Sequence, residues 1–181
     1  FYKFFLSVNY LKENIIDHFK NGEEYGINIE YLIEDKPLGT AGALNLLEIN
    51  SNNPLIIING DILTEVNFKE LIDYHNKQKA QATMAVREYV YNIPYGVVKA
   101  DENKLVKFQE KPSYKYLINA GIYVINPKII KFLNKNQYED MPTLIETVQK
   151  KHQTVSVYKL KEYWLDIGSK ESYHEAYKHM D

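Results

Sequence analysis

Short stretches of this chain gather residue types suited to ligand or metal chemistry. Glu34-Asp35-Lys36-Pro37-Leu38-Gly39-Thr40-Ala41-Gly42 sets proline and small residues in a loop ahead of a short helix. Small residues there let a flat or phosphorylated ligand approach backbone N–H groups at a helix start; a proline–glycine turn with a threonine cap is the structural alternative. Asn59-Gly60-Asp61 follows the apolar run Pro54–Ile58. Asp61 either holds a divalent cation beside phosphate oxygens or bonds its own turn backbone. Trp164-Leu165-Asp166-Ile167-Gly168 places a carboxylate between apolar neighbours. Buried, Asp166 needs a metal, a substrate or a paired cation; strand alternation would turn it to solvent instead. In Glu110-Lys111-Pro112 the proline fixes the chain beside a lysine that either faces an anion or is solvated. Asn119, two residues before Gly121, offers its amide to a hydroxylated ligand or to a strand end.

The rest of the chain narrows these options. Arg87 is the only arginine, so an anion site must use lysines, backbone amides or metal. With no cysteine, thiolate zinc sites, iron–sulfur clusters and cysteine nucleophiles are excluded. His18, His75, His152, His174 and His179 show no metal spacing. Nucleophile elbow, Walker and dinucleotide glycine loops are all missing. Net charge is −2, from 22 Lys and Arg against 24 Asp and Glu, without a basic stripe, which argues against nucleic acid. No apolar run approaches the roughly 18–20 residues that span a bilayer. The expectation is therefore a cytoplasmic protein without a membrane partner. At 181 residues, 45% hydrophobic and 25% charged, the chain suits one globular domain.

The elements that must position these residues follow from apolar periodicity. Strands are expected at Phe1–Val8, Ile27–Ile33 and Pro54–Ile58, the last buried on both faces as in a parallel sheet. Between them, Asn9 caps a helix over Tyr10–Lys20, Thr40 or Gly39 opens a short helix through Leu47, and Asn50–Asn53 forms a turn. Asn67 caps a helix to about Lys77. The spacing then tightens, with strands at Ala82–Arg87, Tyr95–Ala100, Leu105–Glu110 and Ile118–Ile125 and a turn at Asp101-Glu102-Asn103. Pro127 starts a short helix, Asp140 caps one through about Lys150, Thr154–Leu160 and Trp164–Ile167 are strands, and Ser169 caps a final helix. The fold class is α/β, parallel in the first half and mixed in the second. The singled-out loops follow strand ends, where open α/β sheets bind ligands.

Taken in order, VNYL, Glu34 with PLGTAGAL, IINGD, YGVV, EKP, NAGIYV and WLDIG resemble the sugar-phosphate nucleotidylyltransferases, the NDP-sugar pyrophosphorylases. The resemblance runs from about Leu6 to Tyr177 and looks most like the mannose- or heptose-1-phosphate guanylyltransferase branch. It implies a Rossmann-like nucleotidyltransferase core that joins a nucleoside triphosphate, GTP favoured, to a sugar 1-phosphate and releases pyrophosphate. It implies that Glu34, Pro37, Gly39 and Thr40 hold the base and that Asp61 and Asp166 share Mg²⁺. Lys111 would bind the sugar's phosphate, while Gly96, Glu110 and Asn119 would line the sugar.

The sequence departs from the family at its start. The family's first strand and its glycine-rich triphosphate loop are not found in residues 1–181, and Phe1 falls where the family's second strand is expected. The expectation is a domain over residues 1–181 that is truncated at its N-terminus and inactive by itself, because loss of one transition-state donor costs on the order of 10²–10³ in rate. The missing strand would lie between Phe4–Val8 and Leu55–Ile58. Two apolar edges would then be left for Phe1–Val8 to close by moving, or for a homodimer to close by pairing. A non-catalytic sugar- or nucleotide-binding domain of the same fold is the alternative. A glycosyltransferase fits EKP and WLDIG poorly.

Overall fold

The computed structural model describes residues 1–48 and 51–180, Met180 by its backbone alone. Strands and helices follow in the order β1 (Lys3–Val8), α1 (Lys12–Phe19), β2 (Asn28–Ile33), α2 (Gly39–Gly42), β3 (Leu55–Ile58), β4 (Ile62–Thr64) and α3 (Phe68–Lys77). They continue with β5 (Ala82–Asn92), β6 (Val97–Asp101), β7 (Lys104–Gln109), β8 (Ser113–Ile125), α4 (Met141–Lys150), β9 (Val155–Lys159), β10 (Trp164–Asp166) and α5 (Lys170–Met180). Two compact units share the chain. Phe1–Leu55, Lys79–Ala82 and Ile125–Val155 form the first; Ile56–Gln78, Thr83–Val124 and the chain from Ser156 onward form the second.

In the first unit β1 and β2 pair in parallel, from Lys3 opposite Asn28 to Val8 opposite Ile33. Parallel neighbours need a crossover, and α1 supplies it. Asn9 does not cap α1 as expected. Its amide donates to the Glu34 carbonyl at 2.8 Å, and Leu11 takes the cap position in a left-handed conformation, φ 54°. The β1–α1 corner is thus tied to the segment that follows β2. Further along, Met141, Leu144, Ile145 and Val148 recur at helical spacing and form the buried face of α4, which packs with α2.

In the second unit the sheet order is β3-β8-β5-β9, joined by a β6–β7 antiparallel ribbon and an antiparallel β4–β10 pair. Val66, Leu71, Ala85, Ala120, Ile122, Val124 and Leu160 form its core, with Trp164 and Ile62 against it. Asn67 caps α3 as its sequence indicates, accepting from the N–H groups of Lys69 and Glu70 at 3.1 and 3.2 Å.

Some elements differ from the sequence expectation. β3 is an end strand with β8 as its neighbour and is half-buried rather than enclosed. β1 pairs with β2 alone among the described residues. β4 is too short for periodicity to reveal. β5 and β8 run beyond the strands read from the sequence, through exposed segments that hold Tyr89, Tyr91 and Tyr116. Asn50, the first residue of the expected Asn50–Asn53 turn, lies outside the described residues. No helix among the described residues is long and apolar enough to cross a membrane.

Candidate active site

The second unit brings Asp61 and Asp166 together, and backbone does most of the work. β10 pairs with β4 so that Asp166 lies opposite Ile62, and the Ile167 N–H donates to the Asp61 carbonyl at 2.8 Å. Gly168 follows with its N–H on Asp166 Oδ1 at 2.8 Å. A methyl carbon at Gly168 would lie 3.0 Å from Asp166 Oδ1 and 3.6 Å from Asp61 Oδ2, so both carboxylates border one small space. Both residues are exposed, so Asp166 is not a buried carboxylate and stands beside a second one. Neither forms an ion pair among the described residues. Two like charges at one rim without a cation favour a bound one. The donor set fits Mg²⁺, which takes one or two carboxylates and completes its shell with water and phosphate oxygens. Among the described residues no larger cluster of Asp, Glu and His forms.

Behind this pair stands the Asn119-Ala120-Gly121 segment of β8. Gly121 has φ +67°, and a side chain there would meet Asn59 Nδ2 at 2.9 Å and Cγ at 3.1 Å. The Asn59 N–H in turn donates to the Gly121 carbonyl at 2.9 Å. Trp164 Nε1 donates to the Ala120 carbonyl at 2.7 Å, and Arg87 Nη1 donates to the Trp164 carbonyl at 3.2 Å. The only arginine is therefore a brace for β10. Asn119 is exposed, but its amide serves the strand: Oδ1 accepts from the Gly121 N–H and Nδ2 donates to the Tyr123 hydroxyl. Asn59 and Gly168 stand in motifs the sequence singles out, but what each touches, β8 for Asn59 and the two carboxylates for Gly168, shows only in the structure.

Gly96 and Glu110 also come together. A methyl carbon at Gly96 would lie 3.0 Å from Glu110 Oε2 and 2.7 Å from Cζ of Phe108. The place a side chain would take at Gly96 is filled by the Phe108 ring, with the Glu110 carboxylate beside it. Lys111 has φ +41°, a conformation costing an L-residue roughly 1–2 kcal/mol. The buried Pro112 after it is anchored through its carbonyl, which accepts from the Ile93 N–H at 3.0 Å. The Lys111 side chain is exposed and makes no ion pair among the described residues. A strained backbone that presents an unpaired lysine is the kind of feature that clusters at functional sites.

The remaining candidates belong to the first unit. Glu34 shapes its loop: one carboxylate oxygen accepts from the Ser7 hydroxyl and the other from the Leu38 N–H at 2.7 Å. Pro37 is exposed and Leu38 buried. Gly39 has φ +77°, and a side chain would run into the Glu139 carbonyl at 2.7 Å. The N–H groups of Ala41 and Gly42 donate to that same carbonyl at 2.9 and 3.0 Å. Asp140, expected to cap α4, makes no capping bond with its side chain. Thr40 Oγ1 accepts from the Met141 N–H at 2.9 Å instead, while the Thr40 N–H reaches Asp140 Oδ1 at 3.4 Å. Each helix start is thus served by the other's residue.

The fold is that of the Rossmann-like nucleotidyltransferases. HddC from Yersinia pseudotuberculosis superposes with a TM-score of 0.74 at 24% identity, over 99% of this chain and 79% of that one. The crystal structure of HddC complexed with GMP-PN gives 0.71 at 23% identity, over 98% of this chain and 78% of that one. The Nucleotidyl transferase family model matches residues 3–181, and the chain belongs to that family. It is 34% identical over 176 residues to the mannose-1-phosphate guanyltransferase of Saccharomyces cerevisiae, covering 90% of this chain and 47% of that protein. The corresponding enzyme of Yarrowia lipolytica is 36% identical over 176 residues, with the same coverage. The chain spans about half the length of these curated relatives.

Proposed function

We propose that this chain carries the nucleotidyl-transfer site of a sugar-1-phosphate nucleotidyltransferase, with GTP as donor and Mg²⁺ as cofactor. A phosphate oxygen of the sugar 1-phosphate attacks the α-phosphorus of the triphosphate. The bond from that phosphorus to the bridging oxygen breaks, and pyrophosphate leaves with the electron pair. Such reactions depend on positioning and charge neutralisation more than on covalent help from protein.

Asp61 and Asp166 hold the cation, which neutralises phosphate charge when bound. Lys111 supplies a point charge to the sugar's phosphate, and Glu110 accepts hydrogen bonds from sugar hydroxyls across the floor at Gly96. Asn119 keeps the Gly121 turn in shape at the sugar's edge. Glu34, Pro37, Gly39 and Thr40 form the base-binding loop, with Glu34 acting on the Leu38 N–H that shapes it. GTP is favoured because the curated relatives are guanyltransferases by name. Among the described residues β1 and β3 each have one strand partner, which supports a homodimer formed by strand pairing.

The observation that carries this reading is the convergence of the Asp61 and Asp166 carboxylates on the space beside Gly168. Calorimetric titration of the chain with Mg²⁺ and with Mg²⁺–GTP tests it. Asp61→Asn and Asp166→Asn should each weaken cation-dependent binding tenfold or more, the scale of a lost charge-assisted ligand. Unchanged binding in both variants refutes the assignment.

A further inference from the structure

β6 and β7 pair antiparallel with Val97 opposite Gln109 and Val98 opposite Phe108. Side chains alternate between faces, so Gly96 and Val98 share one face with Phe108 and Glu110. On that face the Phe108 ring leans diagonally over the glycine: a methyl carbon at Gly96 would lie 2.7 Å from its Cζ and 2.8 Å from its Cε2. Phe108 nevertheless stays 56% exposed. Beside it, Glu110 Oε2 lies 3.0 Å from the same point, and its carboxylate has no hydrogen-bond or ion-pair partner among the described residues.

An aromatic ring laid across a glycine is a known way of covering a thin place in a ribbon. Cover alone accounts for the ring's position. It does not account for an uncommitted carboxylate against the same floor, nor for so much of the ring remaining in solvent. An apolar π face next to a double acceptor matches the surface of a pyranose. One face of that ring is a patch of C–H groups, and its rim carries hydroxyl donors.

We propose that Phe108 is a specificity-determining residue of the sugar site: its ring is the platform for one face of the pyranose, and Glu110 takes the adjacent hydroxyls. The inference rests on the sugar-1-phosphate reading given above. An equatorial hydroxyl leaves the C–H patch intact, whereas an axial one interrupts it. Phe108 therefore discriminates between epimers, which Glu110, able to rotate toward either, does less well.

The test is titration of the chain with α-D-mannose 1-phosphate and α-D-glucose 1-phosphate by ligand-observed NMR, alongside urea unfolding. Phe108→Leu keeps the apolar cover and loses the π face. It should weaken the preferred probe about three- to tenfold, the measure of an aromatic contact, and bring the affinities for the two epimers together. Phe108→Tyr should restore both the affinity and the preference, and Mg²⁺–GTP binding should not move in either variant. If Phe108→Leu and Phe108→Ala bind both sugars as the parent does, and only unfold more easily, the ring is cover and the proposal is wrong. If the parent binds neither probe, the sugar-1-phosphate reading itself fails, and the platform fails with it.

Discussion

Replacing Gly121 with alanine tests whether the carboxylate pair is held by its backbone support. At φ +67° an L-residue costs roughly 1–2 kcal/mol. The added carbon would meet Asn59 Nδ2 at 2.9 Å, Asn59 Cγ at 3.1 Å and Ile62 Cγ1 at 3.3 Å. The Asn59 backbone is held by its N–H on the Gly121 carbonyl at 2.9 Å and by the Ile62 N–H on its own carbonyl at 3.3 Å, so it is the Asn59 amide that must rotate away from Gly121. Overpacking of this kind adds about 1–3 kcal/mol. The combined loss of roughly 2–5 kcal/mol corresponds to a fall in Tm on the order of 5–15 °C for a chain of this size. Gly60 is the control: it has no positive φ and nothing within 4 Å of an added carbon, so Gly60→Ala should be neutral or slightly stabilising. Thermal and urea unfolding of both variants, with Mg²⁺ titration of the folded protein, are the assays. Gly121→Ala should also weaken Mg²⁺ binding, since Asp61 follows directly on the turn that must shift. Equal stability of the two variants would refute the argument, for it would mean that Asn59 does not lean on β8.

Lys111→Gly relieves a left-handed backbone while removing an ammonium group; urea unfolding should show unchanged or greater stability, while sugar 1-phosphate binding by NMR titration weakens at least tenfold. Thr40→Val removes the acceptor for the Met141 N–H and should cost about 1 kcal/mol in urea unfolding, as other lost helix caps do. Burial raises the Tyr158 phenol above its usual 10.0, with Glu162 and Glu70 adding to the rise; Tyr138 and Tyr173 are raised as well, so spectrophotometric titration of Tyr158→Phe should show one late tyrosinate fewer than the parent. Because the neutral phenol is the favoured folded form, its contribution to stability is present below pH 10.0 and fades as pH climbs through the raised value.

Much of the fold was legible because its signals are local. Asn67 lies one residue before a helix and caps it; Asp101-Glu102-Asn103 turns between two short strands; Ser169 accepts from the Ser172 N–H at the start of α5. What stayed hidden is what depends on distant partners. Asn9 and Asp140 are residue types that favour caps at cap positions, yet each spends its side chain on a segment far along the chain. β3 reads as an enclosed strand because Leu55–Ile58 is apolar throughout, but enclosure depends on neighbours that composition does not name. The site divides in the same way. Asp61, Lys111 and Asp166 stand out as candidates by type and setting, whereas Asn59, Gly168 and Phe108 enter the proposal only through what they touch.

The two candidate subsites are prepared by different means, and this sets what each can tolerate. The separation of Asp61 and Asp166 is held by the β4–β10 register and the Ile167–Asp61 backbone bond, so it withstands side-chain changes that do not crowd the Asn59–Asp61 turn. The loop at Pro37–Gly42 is tied to Glu139 by backbone bonds but also needs side-chain ones: Glu34 on the Leu38 N–H, Thr40 on the Met141 N–H, and Asp140 on the Thr40 N–H. A single substitution removes one of these and leaves a backbone donor without its partner, at about 1–3 kcal/mol if it stays buried. Base recognition is therefore the part of the proposed chemistry most open to change by point mutation. Residues 139–141 belong to its support as fully as the loop that would touch the base.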